Sequence, residues 1–162
     1  MCARDAGSST RRSSPTSTPA RIVGWSTKAA LTAQELPLEA LHWAITVSKG
    51  RLSGLVHHSD HGTQYLSIDY TNALEDYKIT ASTGSVGDSY DNALAETING
   101  LYKTELIYLQ GPWAGLDHVE LATAGWVHWW NTKRLHHALN YRTPQETQDA
   151  YNHHHAPTLV GA

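Results

Sequence analysis

Asp60 and Glu96 are the two residues of this 162-residue chain whose types and settings best suit chemistry. Asp60 lies in HHSDHGTQY, where a short apolar run stops at an aspartate followed by His61 and Gly62. Glu96 lies in SYDNALAETINGLYKTEL, with 35 residues between the two. Carboxylate oxygens are the ligands that hard divalent cations such as Mg²⁺ prefer. An aspartate at a strand end and a glutamate on a helix could hold one such ion between them. Each residue also has a plainer reading: Asp60 as a turn residue ahead of Gly62, and Glu96 as part of an ordinary solvated helix face.

The elements that must position this pair can be read from the apolar periodicity. Ile22-Val23-Gly24-Trp25 reads as a short strand, and residues 33–48 as a helix carrying Leu36, Leu38, Leu41, Trp43, Ala44 and Val47. Pro37 is tolerated in the first turn of that helix. Gly54 to His58 predicts a buried strand ending at Ser59-Asp60. Ser67 or Asp69 caps a helix carrying Tyr70, Leu74 and Tyr77, and Ile79 to Ser82 predicts another strand. Gly84 to Gly87 is a loop, followed by helices over about residues 92–107, 117–130 and 144–151. Strands alternating with helices indicate an α/β domain.

At 100° per residue, Asn92, Glu96, Asn99 and Lys103 fall within about 60° of one another on the third of these helices. Leu94, Ile98 and Leu101 lie opposite, as a core stripe would. On that polar face a glutamate could reach a metal and a lysine, two turns on, a nearby phosphate.

Composition bounds the rest. The net charge of −3 argues against a nucleic-acid surface spread over the whole chain. Basic residues are nonetheless clustered, with Arg4, Arg11, Arg12, Arg21 and Lys28 near the start and Lys133, Arg134, His136, His137 and Arg142 near the end. Such patches can bind phosphates on a neutral chain. The single cysteine, Cys2, excludes an internal disulfide and fits a cytoplasmic location. No run approaches the roughly 18–20 apolar residues of a membrane span, and the first residues lack the apolar centre of a signal peptide. Three parts are expected: a disordered low-complexity segment over 1–20, a folded part over 21–151 and a frayed tail over 152–162.

His57, His58, His61, His136, His137 and the run His153 to His155 invite a zinc reading. Neighbouring histidines on a strand face opposite ways, so His57 and His58 do not readily share an ion. Trp126, Trp129 and Trp130 have helical spacing and read as packing residues in preference to base-stacking platforms.

Taken together, HHSDHGTQY, VGDSYDNALAETINGLYKTEL and NTKRLHHALNYRTPQE resemble the integrase catalytic core of bacterial insertion-sequence transposases of the DDE type, relatives of retroviral integrases. The resemblance runs from about Arg21 to Tyr151. It implies a ribonuclease H-like fold and DNA cleavage and strand transfer that depend on Mg²⁺ or Mn²⁺. Asp60 would be the second catalytic aspartate and Glu96 the catalytic glutamate, both as metal ligands. Lys103 would contact transposon-end DNA, with Asn99, Lys133, Arg134 and His136 as further DNA-binding residues. Asn131, Arg134, His136 and Leu139 match an N-x-x-R-x-H-x-x-L pattern. Transposon ends and target DNA are the implied partners, together with a homo-oligomer or a full-length transposase, and no membrane.

One part of the family pattern is not found. The first catalytic aspartate belongs to a W-x-x-D-I-T-Y-like strand upstream of the stretch resembling IVGW. Asp5 is the only carboxylate before residue 21, in a stretch without the apolar residues of a buried strand. The expectation is therefore an incomplete, N-terminally truncated core lacking its first two strands, with an exposed edge on the strand that ends at Asp60. Such a fragment binds metal weakly and is inactive alone. The alternative is a non-catalytic remnant that binds DNA or a full-length transposase.

Overall fold

The computed structural model describes residues 9–11, 20–28, 35–48, 52, 55–59, 67–83 and 89–154. Helix α1 (Glu35–Ser48) buries Leu36, Pro37, Ala40, Leu41 and Ile45. Pro37 stands in the first turn, where its missing N–H leaves no helical bond unmade. The predicted stripe differs from the buried one at two positions. Trp43 and Val47 are 56% and 37% exposed, although they share the direction of Leu36 around the helix; Leu36, in the first turn, is covered there and they are not.

The sheet is built on a parallel pair. Strand β2 (Val56–Ser59) runs beside β3 (Thr80–Thr83), with Val56 opposite Thr80 and Ser59 opposite Thr83. Helix α2 (Ile68–Asp76) supplies the crossover that a parallel connection requires. Ser67 caps α2, its hydroxyl accepting from the Tyr70 amide. At the other end Lys78, left-handed at φ 55°, turns the chain so that the Ile79 amide donates to the Leu74 carbonyl. Leu41, Ile45, Leu52, Tyr70, Ala73, Leu74 and Ile79 form one core between α1, α2 and the start of β3.

A third strand, β1 (Ser9–Arg11), pairs antiparallel with β2, placing Thr10 opposite His57. Two expectations change here. Three residues of the stretch expected to be disordered are in a strand, and the β2 edge expected to be exposed is paired along them. Backbone pairing needs no apolar side chain, which is why the Ser-Thr-Arg composition of β1 gave no signal.

The segment 21–27 is not a strand, contrary to its β-like composition. It is an extended strap held by side chains. The Ile22 amide donates to Asn131 Oδ1 at 2.9 Å, and Asn131 Nδ2 donates to the Ile22 carbonyl at 2.8 Å. One buried amide thus takes both roles of a neighbouring strand. The Trp130 indole N–H donates to the Ala20 carbonyl at 2.9 Å. Toward α1, Gly24 lies so close that a Cβ there would overlap the Ala40 carbonyl oxygen. The Ser26 hydroxyl bonds Glu39, and Lys28 pairs with Glu35 and Glu39.

Helix α3 (Ser89–Tyr102) continues into a π-helical stretch, Lys103–Tyr108, and α4 (Leu116–Thr132) packs against both. Tyr102, Leu106, Trp126 and Trp130 form the second core, joined by Ile98, Leu101 and Ile22. The Tyr102 hydroxyl is 2.7 Å from the Thr123 hydroxyl within it. Helix α5 (Pro144–His154) packs against α4 and opens on a capping box. There Thr143 N–H and hydroxyl donate to Glu146, whose amide donates back to the Thr143 hydroxyl. Helix α5 extends to His154, past the expected start of a frayed tail at residue 152.

Candidate functional site

Strand β2 stops at Ser59, immediately before Asp60, which lies outside the described residues. What precedes it is firmly held. His57 is 2% exposed, and its Nε2 is 2.9 Å from the hydroxyl of Tyr70, itself 1% exposed. The two rings are 5.5 Å apart, tying β2 to α2 one turn of chain before the aspartate. The sequence places His57 in a buried strand and also invites a zinc reading for it. Its burial leaves it a packing and hydrogen-bonding part in the sheet.

Glu96 and Lys103 are exposed and Asn99 is half-buried on the same helical face. Ile98 and Leu101 turn the other way into the second core, as the predicted polar stripe requires. Lys103 is the first residue of the π-helical stretch. The side chain of Asn92 lies outside the described residues. Among the described residues no three His, Cys, Asp or Glu side chains cluster closely enough to hold a metal ion.

The second basic segment divides by direction. Arg134 Nη1 is 2.7 Å from each carboxylate oxygen of Glu105, and its guanidinium lies 4.8 and 5.2 Å from the ring centres of Trp130 and Trp129. The Trp126 indole N–H donates to the same carboxylate. His136 packs edge-on against Trp130 at 4.6 Å. Burial and the Arg134 charge push its pKa below the ordinary histidine value, outweighing a hydrogen bond to the Trp130 backbone. At neutral pH it therefore carries no charge toward a phosphate. Leu139 is 5% exposed and Asn131 holds the strap. The N-x-x-R-x-H-x-x-L positions thus all point inward. Lys133, between them, is exposed.

Of the predicted set, Glu96, Asn99 and Lys103 therefore share one accessible face. Lys133 is accessible elsewhere, while Arg134 and His136 are engaged in packing. Sequence reasoning missed Glu105, the carboxylate that anchors Arg134. Its setting, KTEL, carries no motif, and 28 residues intervene between the partners.

Residues 77–144 match the family described as the integrase core domain. The chain is 47% identical over 130 residues to the transposase for insertion sequence element IS629 of Shigella sonnei, covering 80% of this chain and 43% of that protein. It is 46% identical over 135 residues to a Mycobacterium tuberculosis protein named as a transposase for insertion sequence element IS986/IS6110, covering 81% of this chain and 48% of that one. The transposase for insertion sequence element IS904 of Lactococcus lactis is 28% identical over 126 residues, 78% of this chain and 49% of its own. The chain thus spans about half the length of the curated relatives it matches. Among the described residues no helix is long and apolar enough to cross a membrane.

Proposed function

Because the chain belongs to the insertion-sequence transposases that carry an integrase core, we propose that it contributes Asp60 and Glu96 to a DDE site for DNA cleavage and strand transfer. The observation that carries this reading is the placement of Glu96. It is accessible on a helix that follows directly from a parallel β-α-β unit, and the first strand of that unit leads into Asp60. The finer parts of the fold belong to the same reading: a ribonuclease H-like sheet in which β2 and β3 are two neighbouring strands.

The metal fits by donor chemistry. Two carboxylates offer the hard oxygen ligands that Mg²⁺ or Mn²⁺ takes, and Glu96 is open to solvent to do so. When bound, the cation supplies Lewis-acid activation of the attacking oxygen and stabilises the leaving one. The chain's own residues hold and orient. His57 and Tyr70 fix the strand ahead of Asp60, and the α3–α4 core sets the rotation of α3. Lys103, on the face of Glu96, binds a transposon-end phosphate, with Asn99 beside it. Arg134 and His136 act by holding α4 against the α3 extension, not by touching DNA.

Two of the three carboxylates the family uses lie in these 162 residues, at Asp60 and Glu96. Mn²⁺ titration followed by calorimetry tests the site without relying on activity. Glu96→Gln and Asp60→Asn should each weaken binding at least tenfold with unchanged melting. Unaltered binding in both variants refutes the assignment.

A further inference from the structure

The turn between α4 and α5 is rigid, strained at its tip and turned outward there. The amides of Leu139 and Tyr141 both donate to the His136 carbonyl, Asn140 donates to His137, and Arg142 to Leu139. The His136 amide closes the turn on the Arg142 carbonyl at 3.2 Å. Buried Leu139 anchors it from below. At the tip, Asn140 and Tyr141 are both left-handed, at φ 55° and 58°. Asparagine tolerates that region, whereas a bulky aromatic residue rarely enters it. Tyr141 is 67% exposed, so its burial does not account for the strain. Its ring meets that of His137 edge-to-face at 5.4 Å, which still leaves ring surface in solvent. Lys133, His137 and Arg142 are exposed in the same segment. The charge of Glu146 acts on Arg142, but its carboxylate is occupied by Thr143.

We infer that this turn is a DNA-contact platform, on which Tyr141 stacks against an unpaired base and Lys133 and Arg142 hold the flanking phosphates. It rests on the transposase reading above and replaces Arg134 and His136 as the DNA contacts of this segment. An exposed aromatic ring in a segment that also exposes two cations suits a strand with an exposed base. A turn already fixed by its own hydrogen bonds loses little freedom on binding. Within residues 133–142 the exposed large apolar side chains are Leu135 and Tyr141.

The test is fluorescence anisotropy of the full chain with a labelled blunt duplex and the same duplex carrying a single-stranded extension, titrated with salt. Tyr141→Gly should bind the extended duplex about tenfold more weakly and lose the preference over the blunt one. Its melting temperature should be unchanged or higher, since glycine relieves the left-handed strain. Lys133→Gln and Arg142→Gln should each weaken both DNAs and lower the salt slope by about one. Lys103→Gln separates the two readings. If it weakens binding while the turn variants do not, DNA binding stands and the platform is refuted. Binding of neither DNA by the parent chain overturns both. A changed oligomeric mass in Tyr141→Gly, with DNA affinity intact, makes the turn a protein contact and overturns the inference.

Discussion

Replacing Asn131 tests whether a side chain stands in for a strand. Its amide makes two hydrogen bonds to the Ile22 backbone, at 2.9 and 2.8 Å, and is itself 9% exposed. Each such bond contributes a net of roughly 0.5–1.5 kcal/mol, so Asn131→Ala should cost about 1–3 kcal/mol. Water can reach half-buried Ile22 in the variant, which favours the middle of that range. Asn131→Asp is the sharper variant because its shape is unchanged. It turns the donor facing the Ile22 carbonyl into an acceptor and adds a nearly buried charge, so it should cost at least as much. For a chain of this length, about 2 kcal/mol corresponds to roughly 4–8 °C in Tm. Urea unfolding followed by tryptophan fluorescence reads this well, because Trp130 donates to Ala20 on the same strap. Hydrogen exchange at the Ile22 amide should accelerate in both variants. If both stay within about 0.5 kcal/mol of the parent, the strap is not held as described and Asn131 is free for another role.

Two further outcomes follow from the same packing. Gly24→Ala should destabilise the chain by about 1–3 kcal/mol, because its Cβ meets backbone, the Ala40 carbonyl, and Ala44 Cβ at 3.0 Å; thermal melting measures it. The depressed pKa of His136 sets a pH dependence. Between its folded and unfolded values the unfolded chain binds the extra proton, so stability rises with pH across that window. It is lost on acidification below about 6.5, the ordinary histidine value. His136→Phe should flatten the stability–pH curve there relative to the parent, and denaturant midpoints at stepped pH read it. An unchanged slope would mean that the ring is not held as found.

How much of this was legible in the sequence depended on whether the cause was local. Helices α1 to α5 declare themselves by apolar spacing, and Ser67 by its place before α2. The polar face of α3 followed from 100° geometry alone. The strap was misread because Ile, Val and Trp signal extended backbone without saying what will pair with it. Here the partner is one amide, 109 positions away in the chain. Strand β1 left no trace, since backbone pairing is indifferent to the Ser-Thr-Arg side chains. Trp43 and Val47 were misassigned because spacing does not tell which part of an apolar stripe is covered: Leu36, in the same direction around α1, is buried and they are not. The basic segment 133–142 showed its charge but not its directions. Those are set by Glu105 and the tryptophans, which only the fold brings to Arg134.

The central claim of the proposed reading is that Glu96 belongs to a metal-dependent DNA-cleaving site. The direct measurement is strand cleavage of a transposon-end duplex with Mn²⁺, by these 162 residues together with a polypeptide carrying the W-x-x-D-I-T-Y-like strand. The account predicts metal-dependent cleavage in the mixture and its loss with Glu96→Gln. Cleavage in the mixture that survives Glu96→Gln would contradict it.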